Sequence, residues 1–193
     1  MRRRTSVIRV HLVQVGSGRG GRIARTTGSK RREDKMLTRL TDLLTSHRVK
    51  VGLQADSKEG VITELIEMLV SNGDVSDAAA ALRAVMEREH TRTTGIGHGL
   101  AIPHGKCDAV KQLVMAVGVS SRPVDFQSID GQPVSLVVLL ISPTNQTGSH
   151  IQALARISRL MSIDQFRREL LHATDGEAVC QAVAQREQHE TES

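Results

Sequence analysis

A glycine-rich stretch at residues 93–106 ends on a histidine that lies between proline and glycine. Pro103 fixes its own φ and restricts the residue before it, so His104 is predicted to have little backbone freedom. Gly105 is predicted to leave space beside the imidazole for a bulky substrate. The apolar residues 100–102 are expected to anchor the segment in the core. The pattern favours an exposed nucleophile at His104 over a buried structural histidine.

Three glycines precede this histidine at alternate positions, Gly95, Gly97 and Gly99. Because glycine tolerates positive φ, their N–H groups can line a concave anion site, and we predict that the loop binds phosphate. The hydroxyl of Thr94 fits two roles equally well, a phosphate ligand or a turn-stabilising group.

A zinc site is the main alternative for the histidines. Imidazole and thiolate groups are suitable ligands, and the chain offers His98, His104, Cys107 and His150. Their spacing matches no standard zinc pattern, and a metal would occupy the nitrogen that a nucleophilic histidine needs. We therefore predict neither a metal nor a cofactor.

The positive charge of the chain is concentrated at one end. Residues 1–35 contain 11 Lys/Arg and 2 Asp/Glu, whereas the remainder contains 15 and 19. We interpret residues 1–35 as a disordered basic extension, with Met36 as an alternative start. A transit peptide and a nucleic-acid-binding arm remain alternatives, but no nucleic-acid partner is predicted. A G-x-G-x-x-G match within the extension lacks the following helix of a dinucleotide fold.

The remaining composition is typical of a single cytoplasmic domain. The chain has 193 residues and 39% hydrophobic content, which suffice for one core. Its two cysteines are predicted to be reduced thiols. No apolar run approaches transmembrane length, so no direct membrane insertion is expected.

Helices and strands are predicted to mix without strict alternation. A helix from Leu37 precedes a strand at 49–53, and a helix capped by Asp56 or Ser57 follows, with Val61, Ile62, Leu65, Ile66, Leu69 and Val70 on its buried face. A helix over 76–90 ends in Arg88 and Glu89, and strands are expected at 112–120 and 134–142.

The last third is predicted to be helical. A helix opening at Thr147 or Ser149 directs Ile151, Leu154, Ile157, Ser158 and Met161 inward, and two shorter helices begin at Asp164 and Asp175. Residues 186–193 are expected to fray. Together these elements predict an α/β fold of one domain, a three-layer α/β/α arrangement with a mixed sheet flanked by helices.

The stretch from Glu89 through Ile96-Gly97 to Leu100-Ala101-Ile102-Pro103-His104-Gly105 resembles the phosphohistidine motif of one protein family. This family comprises the fructose/mannitol-type enzyme IIA domains of the bacterial phosphoenolpyruvate:sugar phosphotransferase system, including the nitrogen-regulatory branch. The resemblance extends over residues 37–183 and predicts a IIA domain at 36–185. Where the family commonly has asparagine in the glycine loop, this chain has His98.

The resemblance implies that His104 accepts a phosphoryl group from the phosphorylated histidine-containing carrier protein. It implies that the group then passes to a cysteine of an enzyme IIB component for sugar uptake. The alternative is a nitrogen-regulatory protein whose phosphorylation state controls binding to regulatory partners. Arg88 and His150 are expected to stabilise the transferring group, and the position of His150 in the first turn of a helix is expected to lower its pKa.

Overall fold

The structure, a computed structural model, describes residues 39–192. The predicted basic extension, the start at Met36 and the helix position Leu37 lie outside these residues. The helices are α1 (Leu40–Leu43), α2 (Lys58–Ser71), α3 (Ala78–Thr91), α4 (Thr147–Met161), α5 (Asp164–Leu171) and α6 (Gly176–Glu192). The strands are β1 (Val49–Val51), β2 (Gly95–Gly97), β3 (Leu100–Ala101), β4 (His104–Lys106), β5 (Val114–Val124) and β6 (Val134–Ser142), and a 3₁₀ helix covers Ser46–Arg48.

The six strands form one mixed sheet in the order β1-β5-β6-β3-β2, with β4 also paired to β6. The β5–β6 pair is antiparallel, whereas β3 and β4 both run parallel to β6. Strands β3 and β4 therefore lie one after the other along the side of β6 that is not paired with β5.

Alternate residues of β5 and β6 supply two separate cores, because successive side chains of a strand point to opposite faces. Ala116 and Leu139 pack with α2 and α3 on one face. Met115 and Leu140 pack with α1, α4, α5 and α6 on the other. The predicted α/β fold, with a mixed sheet flanked by helices, is confirmed.

Polar side chains cap the starts of α2 and α3, and Ser57 is one of the two candidates predicted for α2. Ser57 accepts a hydrogen bond from the Gly60 N–H at the start of α2, and Asp77 accepts one from the Ala80 N–H at the start of α3. Such caps satisfy N–H groups that have no partner within the helix.

Two predicted helix faces are partly wrong. Val70 is 38% exposed, and Ile151 in α4 is 59% exposed. The buried face of α4 contains His150, Ala153, Ile157, Leu160 and Met161. His150, a polar residue by type, takes an inward position on α4, so Ile151 and Ser158 face outward.

The prediction of a frayed end is wrong for residues 186–192. Helix α6 continues to Glu192 and is longer than the short helix expected from Asp175. Glu187 is fully buried and accepts hydrogen bonds from the Leu40 and Thr41 N–H groups and from Arg156. This carboxylate fastens α6 to the first turn of α1.

Candidate functional site

The backbone around residues 100–106 places His104 at the edge of the sheet. Leu100 pairs with Leu136 and His104 with Leu140 on β6. Ile102 and Pro103 interrupt the strand, but the Pro103 carbonyl still accepts a hydrogen bond from the Leu140 N–H. The sequence folds this way because the segment before His104 is apolar and buried, as predicted.

The half-buried His104 ring is held by its own backbone. Its Nδ1 lies 2.8 Å from the Ile102 carbonyl oxygen. A carbonyl can only accept, so Nδ1 carries the proton in this bond and Nε2 is left with its lone pair. Burial lowers the pKa of His104, and the charge of Arg88 adds to this, against the opposing effects of the Ile102 bond and Glu89. The arrangement provides a neutral imidazole with a nucleophilic Nε2.

His150 lies beside this ring, with 5.6 Å between the ring centroids. It is 4% exposed, and its Nδ1 lies 2.8 Å from the Ser142 hydroxyl oxygen. Burial, followed by the charges of His104 and Lys106, lowers the pKa of His150 to about 4. The pKa is lowered, as the sequence predicts, but the leading cause is burial rather than the position of His150 at the start of the helix. His150 is neutral at physiological pH.

Arg88 lies near the C-terminal end of α3, where its Nη1 donates to the Arg92 carbonyl at 2.9 Å. Within residues 39–192 it forms no ion pair with Glu87 or Glu89, and Glu89 pairs with Lys58 instead. Arg88 and His104 both line one cavity of about 240 Å³. The structure therefore places a cation and the predicted nucleophile at the same opening.

The rim of this cavity is apolar and unusually exposed. Ile96 is 43% exposed and Ile129 is 66% exposed. The complete lining is Arg88, Arg92, Thr93, Thr94, Ile96, Ile102, His104, Ile129, Leu154 and Ser158. Exposed apolar side chains grouped in this way are typical of an interaction surface.

Thr94 has a different role from the predicted phosphate ligand. Its N–H and its hydroxyl both donate to the buried carboxylate of Glu89. Glu89 also forms an ion pair with Lys58, with 3.0 Å between Nζ and Oε1. Since both donors of Thr94 are used internally, the structure supports the turn-stabilising alternative.

The three glycines also serve the fold rather than forming an open anion site. Gly97 and Gly99 have φ of +100° and +72° in the β2–β3 hairpin, and His98 between them has φ of +56°. The His98 N–H donates to the Asp130 carboxylate at 2.8 Å, so this N–H of the loop is bonded to a carboxylate of the protein itself. This bond is the first cause, before that from the Gln132 N–H, of the lowered pKa of Asp130. His98 resembles asparagine in tolerating positive φ.

Gly95 and Gly105 are required by close packing. A Cβ on Gly95 would lie 2.9 Å from the Ser128 Cα. A Cβ on Gly105 would lie 2.9 Å from the backbone nitrogen of Val85 in α3. The prediction that Gly105 leaves space for a substrate is therefore wrong, because helix α3 fills that space.

The zinc alternative finds no matching arrangement. Across residues 39–192, His, Cys, Asp and Glu side chains form no group of three that could hold a metal ion. Cys107 is buried, and burial raises the pKa of its thiol. No helix in the described part of the chain is both long and apolar enough to cross a membrane.

Sequence reasoning missed three residues near the histidines. Ser142 bonds His150 from the end of β6, Lys106 donates to the Thr147 hydroxyl at 2.9 Å, and Ile129 forms the rim. The sequence could have pointed to Lys106, because it lies two residues after His104 and residues i and i+2 of a strand share a face. Ser142 and Ile129 carry no local signal of this kind.

Comparisons with known proteins point to one family. The family model described as phosphoenolpyruvate-dependent sugar phosphotransferase system, EIIA 2, matches residues 42–186. The fructose-specific EIIABC component of Bacillus subtilis (strain 168) is 36% identical over 147 residues, which cover 76% of this chain and only 23% of that protein. A nitrogen regulatory protein of Bradyrhizobium diazoefficiens is 33% identical over 145 residues, which cover 75% of this chain and 94% of that protein.

A solved structure shows the same fold. The nitrogen regulatory protein IIA-Ntr of Neisseria meningitidis superposes with a TM-score of 0.70 at 29% identity, covering 75% of this chain and 98% of that one. Because the family model matches most of this chain, the chain belongs to the EIIA 2 family of the phosphoenolpyruvate-dependent sugar phosphotransferase system.

Proposed function

We propose that this chain is a phosphocarrier whose His104 Nε2 accepts a phosphoryl group from the phosphorylated histidine-containing carrier protein and passes it to a cysteine of an enzyme IIB component. The observation that carries the proposal is the bond between His104 Nδ1–H and the Ile102 carbonyl. It holds the proton on one nitrogen and leaves the other as the nucleophile, on a ring that lines an open cavity.

The transfer exchanges bonds to phosphorus and needs no external proton acceptor. The P–N bond of the donor phosphohistidine breaks as the bond to His104 Nε2 forms, while the Nδ1 proton stays in its bond to Ile102. In the second step the Nε2–P bond breaks as a cysteine thiolate forms an S–P bond. Phosphoryl transfer of this kind depends chiefly on positioning and on stabilising charge spread over three oxygens.

Three side chains can supply that stabilisation. Arg88 contributes a guanidinium at the cavity, and Lys106 adds a second cation on the strand that carries His104. When the Ser142 hydroxyl donates to Nδ1 of His150, its Nε2 carries a proton and can donate to a phosphoryl oxygen as neutral imidazole. The glycine N–H groups and Thr94 have no part in this proposal.

The exposed rim formed by Ile96 and Ile129 would receive both partners in turn, since each must bring its reactive atom to His104. The similarity to a protein named EIIABC supports a IIB partner for this chain. A regulatory role is the second candidate, supported by the match over 94% of a nitrogen regulatory protein. Both functions use the same phosphohistidine.

The test is labelling with radioactive phosphoenolpyruvate, enzyme I and the carrier protein. The wild-type chain should gain one acid-labile, base-stable phosphoryl group, and His104→Ala should gain none while unfolding at a similar temperature. His98→Asn is the matched control, since His98 is exposed and outside the cavity lining and asparagine tolerates its positive φ, and it should be labelled normally. Labelling of His104→Ala at the wild-type level would refute the assignment. Transfer of the label to a IIB cysteine would separate the transport role from a purely regulatory one.

A further inference from the structure

We propose that Glu89 is a positioning residue for His104, acting through a chain of hydrogen bonds from its buried carboxylate to the imidazole. The proposal rests on the proposed function of His104 as phosphoacceptor, and it assigns a role to a buried charge outside the lining of the cavity. The side chain of Glu89 is only 1% exposed. An unpaired carboxylate in such a position would be strongly unfavourable, so this one must have partners.

Three donors hold this carboxylate. The Lys58 ammonium lies 3.0 Å from Oε1, and the Thr94 N–H donates at 3.0 Å to Oε2 and at 3.2 Å to Oε1. The Thr94 hydroxyl donates as well. Lys58 itself is fixed at the first residue of α2, where it also donates to Gln127. The backbone of Thr94 is therefore clamped to α2 and α3.

The position of Thr94 then determines that of the imidazole. The Thr94 carbonyl accepts the Ile102 N–H at 3.0 Å, and the Ile102 carbonyl accepts the His104 Nδ1–H at 2.8 Å. The N–H and hydroxyl of Thr94, both bonded to Glu89, hold its nitrogen, Cα and Cβ, so its carbonyl can turn only about one backbone bond. Pro103 restricts the backbone of Ile102, so the position of the Ile102 N–H constrains the direction of the Ile102 carbonyl. Loss of the carboxylate would free Thr94, let the Ile102 carbonyl rotate, and release the ring and its tautomer.

The chain offers a matched control in Glu64. This carboxylate on α2 also accepts from two backbone N–H groups, those of Gln54 and Ala55, and pairs with Lys50 at 2.8 Å. It has the same kind of partners, but among residues 39–192 these partners form no hydrogen bond with the segment 94–104 that holds His104. Glu64→Leu and Glu89→Leu therefore remove comparable interactions, and only the second is expected to affect the imidazole.

The experiment combines ¹⁵N NMR of the His104 tautomer with phosphoryl transfer from the phosphorylated carrier protein and with urea unfolding, all on the full chain. Glu89→Leu should convert a single Nδ1–H tautomer into a mixture and lower kcat by about 10- to 100-fold with an unchanged KM, because ring geometry and not partner binding is affected. Glu89→Gln keeps one acceptor for the Thr94 N–H and should restore part of the rate. Glu64→Leu should lower stability and leave tautomer and kcat unchanged.

Folded Glu89→Leu with the wild-type tautomer and kcat would overturn the proposal, and so would an equal loss of kcat in Glu64→Leu. If Glu89→Leu does not fold, Glu89→Gln decides in its place: an altered tautomer population supports the proposal, and the wild-type population refutes it. Failure of the proposed function would instead appear as labelled His104→Ala, and the NMR comparison would still decide the role of Glu89.

Discussion

At the scale of single residues, the site depends on two neighbouring imidazoles that stay uncharged. Burial lowers the pKa of both His104 and His150, so neither ring carries a charge at neutral pH. The hydrogen bond to the Ile102 carbonyl keeps the proton of His104 on Nδ1, whereas Nδ1 of His150 is bonded to the Ser142 hydroxyl. The two rings thus differ in their bonded partner, while the effect of burial is common to both.

The lowered pKa of His150 predicts a pH-dependent contribution to stability. The ring has a pKa of about 4 when folded and about 6.5 when unfolded. Between pH 6.5 and pH 4 only the unfolded state binds the proton, so the free energy of unfolding falls as the pH falls through this range. Above pH 6.5 both states are neutral and the ring causes no such loss of stability. Between pH 7.5 and pH 5, this ring should lower the free energy of unfolding by about 2 kcal/mol.

His150→Asn tests this contribution, since asparagine keeps a polar group toward Ser142 and does not titrate. Urea unfolding of both proteins at pH 7.5 and at pH 5 should show a smaller pH dependence in the variant. His104 titrates in both proteins and so cancels in the comparison. An identical pH dependence would mean that the pKa of His150 does not differ between the folded and the unfolded protein.

At the scale of elements, the packing of α3 against β4 sets the distance between Arg88 and His104. Gly105 permits this close approach, because the atoms that a Cβ would meet belong to the helix backbone at Ala84 and Val85. A flexible side chain could move aside, but a helix backbone can only shift as a unit. One glycine on the strand thus determines where the arginine lies one turn further along the helix.

Gly105→Ala should therefore reduce both stability and phosphoryl transfer. We expect a loss of about 1–3 kcal/mol in the free energy of unfolding, typical of overpacking, and a slower transfer because Arg88 is displaced. Gly148→Ala in the first turn of α4 is the control, since the added Cβ would meet nothing within 4 Å. Unfolding and single-turnover transfer are measured for both variants. If Gly105→Ala behaved like the control in both measurements, the prediction would be contradicted.

At the scale of the whole molecule, the two ends of the described chain are joined through Glu187. Its carboxylate accepts from the N–H groups of Leu40 and Thr41 in α1 and pairs with Arg156 of α4 at 2.6 Å. These contacts close the core on the face of the sheet opposite α2 and α3. The C-terminal helix is consequently part of the fold rather than a tail.

Glu187→Ala should leave two backbone N–H groups without their acceptor and, within residues 39–192, Arg156 with only its longer contact to Glu190 at 4.0 Å. Removing one member of a buried pair typically costs about 3 kcal/mol, which corresponds to a fall in melting temperature of about 6–12 °C for a domain of this size. Glu177→Ala on an exposed position of the same helix should change it little. The melting temperatures are measured by calorimetry. Equal values for the two variants would contradict this prediction and indicate that residues 186–192 are dispensable for stability.

The sequence alone determined the class of fold, most element positions and the candidate nucleophile. Apolar runs indicate the buried strands, Ser57 indicates a capped helix, and the place of His104 between Pro103 and Gly105 predicts the nucleophile, because these are local properties of the chain. The partners of Thr94, the glycines and Glu89 were decided only by tertiary structure. Each depends on which group, distant in sequence or on another element, occupies the neighbouring space: Asp130 beside His98, Lys58 beside Glu89, and α3 beside Gly105. Burial of His150 likewise depends on the packing of α4 at the end of β6, where the ring meets Ser142, and no spacing along the helix could reveal this contact.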